Sequence, residues 1–253
     1  MKKLLSIILA AVLASAAFAA QNAPQKNGNK QQAAYPWTIP SLDSQFNKDE
    51  ANFARYAAAN AEVKKRPVAV FMGDSITDGW ARTRKAFFEK NNYIGRGISG
   101  QVTSQMLVRF RKDVIELKPQ FVLILAGTND IARNRGYIAE ENIVGNIISM
   151  CEIAKANNIT PIICSILPAA RYKWRPEIES VQPIKKVNAA LEKYARENNV
   201  LYLDYYSKLV DANSGLAPEH SRDGVHPTSA CFAVMEALAK DFIEKAQPCC
   251  AGR

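Results

Sequence analysis

Four short blocks of this chain set small, turn-forming residues beside groups that can move a proton or donate a hydrogen bond. They are Gly73-Asp74-Ser75, Gly97-Ile98-Ser99-Gly100, Gly127-Thr128-Asn129-Asp130 and Asp223-Gly224-Val225-His226-Pro227. Acyl transfer needs a nucleophile, a base, a group that orients the base, and donors for a tetrahedral oxyanion. Ser75 can supply the first. His226 can supply the second, because an imidazole with an ordinary pKa of ~6.5 takes and returns a proton near neutral pH. Asp223, three residues earlier, can fix the imidazole tautomer and stabilise the imidazolium. The expected oxyanion donors are the backbone N–H groups of Ser75 and Gly100 and the side-chain amide of Asn129. Glycine at 100 permits a close approach and unusual dihedrals.

Each block also has a plainer reading taken alone. Ser75 could be a helix N-cap, Asn129-Asp130 and Asp223-Gly224 turn formers, and His226 an ordinary histidine. Asp74, Asp78 and Asp130 read as turn, cap or supporting residues. What favours a site is that all four blocks occur together.

The elements that must position them alternate between strand and helix. Val68 to Phe71 reads as a first strand, with a short second around Tyr93 to Gly95. Phe121 to Ala126 is apolar throughout, as a central strand covered on both faces would be. Thr160 to Leu167 and Val200 to Tyr205 are further strands. Helices are expected over Lys48 to Lys65, and where apolar residues recur at three and four: Val102, Met106, Phe110, Val114, Leu117; Ile143, Ile147, Met150, Ala154; Ile184, Val187, Leu191, Tyr194; Cys231, Met235, Leu238, Phe242. Strands alternating with helices predict a parallel sheet covered on both faces. Right-handed crossovers then gather the strand C-termini, and any ligand chemistry, on one rim.

The bulk properties bound the rest. A hydrophobic fraction of 48% in 253 residues suffices for a core. Lys2 and Lys3, the apolar run Leu4 to Leu13 and Ala17-Phe18-Ala19 read as an export signal over residues 1–20. A polar linker over 21–34, a catalytic domain over 35–247 and a tail over 248–253 follow. No cysteine lies near the cleavage pattern, so no lipid anchor and no stable membrane insertion are expected. Removing Lys2 and Lys3 from 33 basic residues leaves 31 against 24 acidic ones, a net charge of +7. The basic residues are scattered and no nucleic-acid motif is present, so a solvated basic surface is expected rather than a nucleic-acid partner. Cys151, Cys164, Cys231, Cys249 and Cys250 form no metal-site spacing and there are only two histidines. Cys151 and Cys164 read as buried thiols.

With the blocks in this order, the chain resembles the SGNH hydrolases, the GDSL esterase and lipase superfamily. Phe71-Met72-Gly73-Asp74-Ser75 matches the family's first block, Gly97 to Gly100 its second, Gly127 to Asp130 its third, and Asp223-x-x-His226-Pro227 its last. The resemblance implies a catalytic triad of Ser75, His226 and Asp223, with Ser75, Gly100 and Asn129 as the oxyanion hole. It also implies a flavodoxin-like three-layer α/β/α sandwich of about five parallel strands, and ester hydrolysis without cofactor or metal. The G-x-S-x-G signature of the other α/β hydrolases is absent, since Ile76-Thr77 follow Ser75. The extension Ser75-Ile-Thr-Asp-Gly-Trp80 resembles acetylhydrolases and carbohydrate acetylesterases, and no long apolar insertion suggests a lid. Removal of acetyl groups from a carbohydrate is therefore the favoured reaction. Trp80, Tyr172 and Trp174 are candidates to stack on sugar rings, and Arg133, Arg135, Arg171 or Arg175 to meet an acidic glycan. A lysophospholipase or thioesterase for longer acyl chains is the rival enzyme, and a glycan-binding module without catalysis the rival class. Oligomeric state is not legible.

Overall fold

The computed structural model describes residues 49–247. The expected export signal, the linker, the start of the domain at Tyr35-Pro36-Trp37, and the tail with Cys249 and Cys250 lie outside the described residues.

Five strands form one parallel sheet: β1 (Ala69–Gly73), β2 (Tyr93–Gly97), β3 (Phe121–Leu125), β4 (Thr160–Cys164) and β5 (Leu201–Leu203), in the order β2-β1-β3-β4-β5. This is the flavodoxin-like order, and the three-layer α/β/α arrangement is as expected. Side chains alternate along each strand and feed two cores. Val70, Met72, Val122, Ile124 and Ile163 point to one face. There they meet α4 (Thr103–Asp113), α6 (Glu140–Ala156) and α7 (Val181–Glu197). Ala69, Phe71, Leu123, Leu125, Ile162 and Cys164 point to the other, under α2 (Ser75–Thr83), α3 (Lys85–Lys90) and α9 (Ser229–Ala246). Two short helices, α5 (Thr128–Ile131) and α8 (Tyr206–Leu209), sit directly after strands, and α1 (Ala54–Ala61) precedes the sheet. Among the described residues no helix is long and apolar enough to cross a membrane.

Five expectations need adjusting. The strand expected over Thr160 to Leu167 is β4, which stops at Cys164, and the helix expected from Val102 to Leu117 ends at Asp113, with a 3₁₀ turn over Ile115–Leu117 before a left-handed Lys118. The helix expected over Lys48 to Lys65 is α1 alone, because Asn52 adopts φ +56° and Asp49 accepts from the Ala54 N–H at 2.8 Å, turning the chain before the helix starts. β5 stops at Leu203, where Asp204 turns outward to accept from the Ser207 N–H at 3.0 Å and opens α8. In α9 the deepest stripe is Cys231, Met235, Ala239 and Ile243, with Leu238 and Phe242 only partly covered.

Register decides where the functional blocks land. Gly73 pairs with Gly97 on one side and Leu125 on the other, so three strands end level. The residues that follow, Asp74-Ser75, Ile98 to Gly100 and Ala126 to Asn129, therefore leave the sheet at one rim. β1 lies where the connections diverge, to β2 on one side and onward to β3 on the other, the switch point at which open sheets bind ligands.

The turn after β1 is packed tightly enough to need glycine beside it. A Cβ on Gly97 would lie 2.1 Å from the Asp78 nitrogen and 2.6 Å from the Asp74 carbonyl oxygen, both backbone atoms at the start of α2. Gly97→Ala is expected to push that helix off the sheet at a cost of ~1–3 kcal/mol, or more if the backbone resists. Thermal denaturation should show a lowered Tm; an unchanged Tm would mean that α2 is free to retreat.

Candidate active site

At the end of β1 the capping position is held by Asp74. Its side chain accepts from the Ile76 N–H at 2.9 Å, which leaves Ser75 as the first residue of α2 with its hydroxyl uncommitted to the helix. The Ser75 Oγ instead lies 2.9 Å from His226 Nε2. Ser75 is half-buried, while Asp74 is buried. Burial pushes the Asp74 carboxyl up to about 6, against the opposing pull of the Ile76 N–H and of His226.

His226 and Asp223, expected as base and orienting group, share one loop before α9. His226 Nδ1 lies 2.6 Å from Asp223 Oδ2, and Asp223 Oδ1 accepts from the backbone N–H groups of Val225 at 2.9 Å and His226 at 2.8 Å. Burial alone would raise the Asp223 carboxyl. The hydrogen bonds from the His226 ring and from those two N–H groups win, and hold it well below the usual carboxylate range. Gly224, at φ +87°, makes the turn between Asp223 and His226, and its N–H reaches the Ser221 Oγ at 2.9 Å. Thr228 closes the loop by capping α9 through the Cys231 N–H.

The third wall is the loop after β2 and the helix after β3. Gly100 is exposed and has φ +78°, a conformation that asks for glycine although nothing crowds it. Asn129, in α5, donates its amide to the Gln101 carbonyl at 3.0 Å and accepts from Asn134 Nδ2 at 2.7 Å. Its neighbour Asp130 is buried and accepts from the Thr103 N–H at 3.0 Å and the Thr103 hydroxyl at 2.6 Å. That places a carboxylate at the N-terminus of α4, where Val102 offers no capping side chain. Desolvation outweighs those bonds and lifts Asp130 to about 6. Ser75, His226 and Asp223 are thus joined in one chain of hydrogen bonds, and Asn129 is tied to the loop that carries Gly100.

A sequence profile of the GDSL-like lipase/acylhydrolase family matches residues 71–233, more than half of the chain and all four blocks. The chain belongs to this family. It is an ester hydrolase of the GDSL type, and solved structures agree. The BF3764 protein of Bacteroides fragilis NCTC 9343 is 50% identical, with a TM-score of 0.76 over 79% of this chain and 99% of its own. A GDSL-like lipase (BT0569) of Bacteroides thetaiotaomicron VPI-5482 is also 50% identical, with a TM-score of 0.74 over 78% and 98%. An acetylxylan esterase of Geobacillus stearothermophilus, Axe2, shares the fold at 19% identity, with a TM-score of 0.57 over 69% and 93%. The curated relative, "Uncharacterized lipoprotein YqeF" of Bacillus subtilis (strain 168), is 26% identical over 130 residues. That match covers 45% of this chain and about half (54%) of the relative's length.

Two expected ligand contacts of this GDSL-like hydrolase are corrected by burial. Trp80 is 1% exposed, stacked between Phe87 and Phe232 at 5.8 and 5.6 Å, with its indole nitrogen on Glu236. No face is left for a sugar. Tyr172 is fully buried, its hydroxyl 3.1 Å from the Thr128 Oγ1, where it braces α5 from below. Trp174 is on the surface, 41% exposed, with its ring 6.3 Å from the His226 ring. Arg133 is exposed and lies over the Tyr137 ring at 5.2 Å. Cys151, Cys164 and Cys231 are buried free thiols.

Several residues of the site escape a reading of motifs: Gln101, Arg109, Asn134 and Ser221. Arg109 alone carried a signal, since a charged residue three after Met106 and one before Phe110 falls on the apolar side of α4.

The two raised carboxyls have a pH signature. Unfolded, they titrate near 3.8; folded, near 6. Between those values the native state binds more protons, so stability is greatest at the acidic end and falls as pH rises toward 6. Asp74→Asn keeps an acceptor for the Ile76 N–H and removes one titration. Its unfolding free energy is expected to vary less between pH 4 and 6 than that of the wild type, by about 2 kcal/mol across the window. Parallel profiles for the two proteins would contradict this.

Proposed function

We propose that the chain is an exported serine esterase that removes small acyl groups, acetyl above all, from a carbohydrate. The observation that carries the proposal is the array Asp223–His226–Ser75, with gaps of 2.6 and 2.9 Å, at the rim where three strands end level. In this reading the Ser75 Oγ bonds to the ester carbonyl carbon as its proton passes to His226 Nε2. Asp223 remains a carboxylate and stabilises the imidazolium. The oxyanion is met by the N–H groups of Ser75 and Gly100 and the amide of Asn129. Collapse breaks the bond to the alcohol oxygen, which leaves with the proton from Nε2. Water then repeats the cycle on the acyl-serine and releases the acid.

The surroundings support a polyhydroxylated alcohol. The His226 and Asp223 side chains are 46% and 41% exposed, so a bulky alcohol has room over the serine. Beside α5 opens a cleft of about 300 Å³ in which Arg133, Tyr137, Glu177 and Glu179 stand among the apolar Ile131, Ile138, Ile143 and Ile178, a mixed lining of the kind that a sugar ring, with its hydroxyls and its C–H faces, can use. Trp174 adds a flat apolar face next to the base, of the kind that stacks on a pyranose ring. Likeness to an acetylxylan esterase agrees with this choice at the level of fold. Export rests on Lys2-Lys3, the apolar run that follows them, and the lipoprotein named among the relatives.

Initial rates on p-nitrophenyl esters from acetate to octanoate and on acetylated oligosaccharides test the proposal. Ser75→Ala is expected to lower kcat about 10³-fold or more, and Asn129→Ala about 10²–10³-fold. Rates should fall as the acyl chain lengthens. A rise from acetate to octanoate would replace the deacetylase with a long-chain acylhydrolase. No turnover, together with no labelling of Ser75 by a phosphonate, would leave a binding module.

A further inference from the structure

A chain of four hydrogen-bonding groups runs from the surface to the oxyanion side of the site. Trp174 Nε1 donates to Asn134 Oδ1 at 3.0 Å; Asn134 Nδ2 donates to Asn129 Oδ1 at 2.7 Å; Asn129 Nδ2 donates to the Gln101 carbonyl at 3.0 Å. The two ends are chemically one-way. An indole N–H can only donate and a backbone carbonyl can only accept. Between such ends each amide has one orientation that makes every bond. The Asn134 oxygen must face Trp174, its nitrogen must face the Asn129 oxygen, and the Asn129 nitrogen must face Gln101. One N–H of Asn129 then remains for a ligand. Asn134 is also fixed through its backbone, whose N–H donates to the Asn129 carbonyl at 3.0 Å. Asn129 is 4% exposed, so a flipped amide would leave buried groups unpaired.

We propose that Asn134 is the positioning residue of the oxyanion hole and that Trp174 latches it, coupling the surface beside His226 to the orientation of the Asn129 amide. The proposal rests on the esterase reading above. Asn134 does not touch the reacting atoms; it dictates which atom of Asn129 does. Trp174 has two separable parts: an exposed ring face beside the base, and an N–H engaged with Asn134. A sugar ring seated on that face would hold the indole in place and keep the relay closed while the acyl group is attacked. The coupling predicts that an ester whose alcohol reaches Trp174 gains in kcat, whereas one that binds only at the serine does not.

The test compares kcat and KM on p-nitrophenyl acetate and on an acetylated oligosaccharide for wild type, Asn134→Ala, Asn134→Asp, Trp174→Phe and the double variant Asn134→Ala/Trp174→Phe. Asn134→Ala is expected to lower kcat ~10–50-fold with KM within about twofold, because the loss falls on the transition state. Asn134→Asp keeps the shape but turns an oxygen toward the Asn129 oxygen, and should be worse than Asn134→Ala. Trp174→Phe keeps a ring and removes the donor; its kcat should drop ~3–10-fold, with KM for the saccharide nearly unchanged. The double variant should fall no further than Asn134→Ala, since both act through one amide. Wild-type kcat in Asn134→Ala, Asn134→Asp as active as wild type, or additive losses in the pair would overturn the proposal while leaving the esterase intact. A wild-type protein without turnover removes both readings.

Discussion

The guanidinium of Arg109, with no solvent exposure, grips four groups at once. It donates to the Gln101 side-chain oxygen at 2.6 Å, to Asp113 at 2.7 Å, and to the carbonyls of Gly73 and Arg96 at 3.0 and 2.9 Å. Gly73 and Arg96 lie at the ends of β1 and β2, and at Gly73 the guanidinium joins the Ile98 N–H, 3.1 Å away, on the same carbonyl. Burying a cation is costly, and desolvation does lower the Arg109 pKa, with Asp113 opposing it. Asp113 is itself 1% exposed and accepts from Asn60 at 2.8 Å, so the pair sits in a satisfied network rather than facing apolar walls. Through Gln101 the same cation reaches the loop of Gly100, and through the Gln101 carbonyl that loop receives the Asn129 amide. The serine turn, the loop of Gly100 and Asn129 are therefore referred to one buried charge.

Around that charge lies a layer in which polar groups are buried but paired, with an open catalytic surface above it. Asp74 caps α2, Asp130 serves the start of α4 from another element, and Asn129 is locked between Gln101 and Asn134. Asp74 and Asp130 each take an N–H that helix geometry leaves unsatisfied, and Asn129 takes a loop carbonyl. Such pairing makes the rim stiff, because every member must move for one to move. Preorganised donors stabilise developing charge best when they need not reorient.

The sheet, and the array in which Ser75, His226 and Asp223 meet, were legible because both are written locally. Val68 to Phe71 and Phe121 to Ala126 are apolar runs ending in glycine, and Asp223 and His226 are close enough in sequence to share a loop. Pairings across elements left no such mark. Nothing in the order of residues ties Asn134 to Trp174, or Asp130 to Thr103. The misplaced aromatics differ in kind. Trp80 stands four residues after the buried Ile76, so helical spacing placed it in the core, and weight given to its chemistry obscured that. Tyr172 lies in an irregular segment with no period to read. The shortened first helix turned on a left-handed Asn52, a conformation asparagine tolerates but composition cannot announce.

The loop that carries both Asp223 and His226 has a mechanical consequence. Oδ1 of the carboxylate is pinned to the backbone of the same residue whose ring is held by Oδ2, so acid and base form a single rigid body. In the proposed esterase the array then has one adjustable joint, the gap between Nε2 and Oγ. A shift of the loop would lengthen that joint while the Asp223–His226 bonds still hold the tautomer, so such a machine would detune by degrees instead of failing outright.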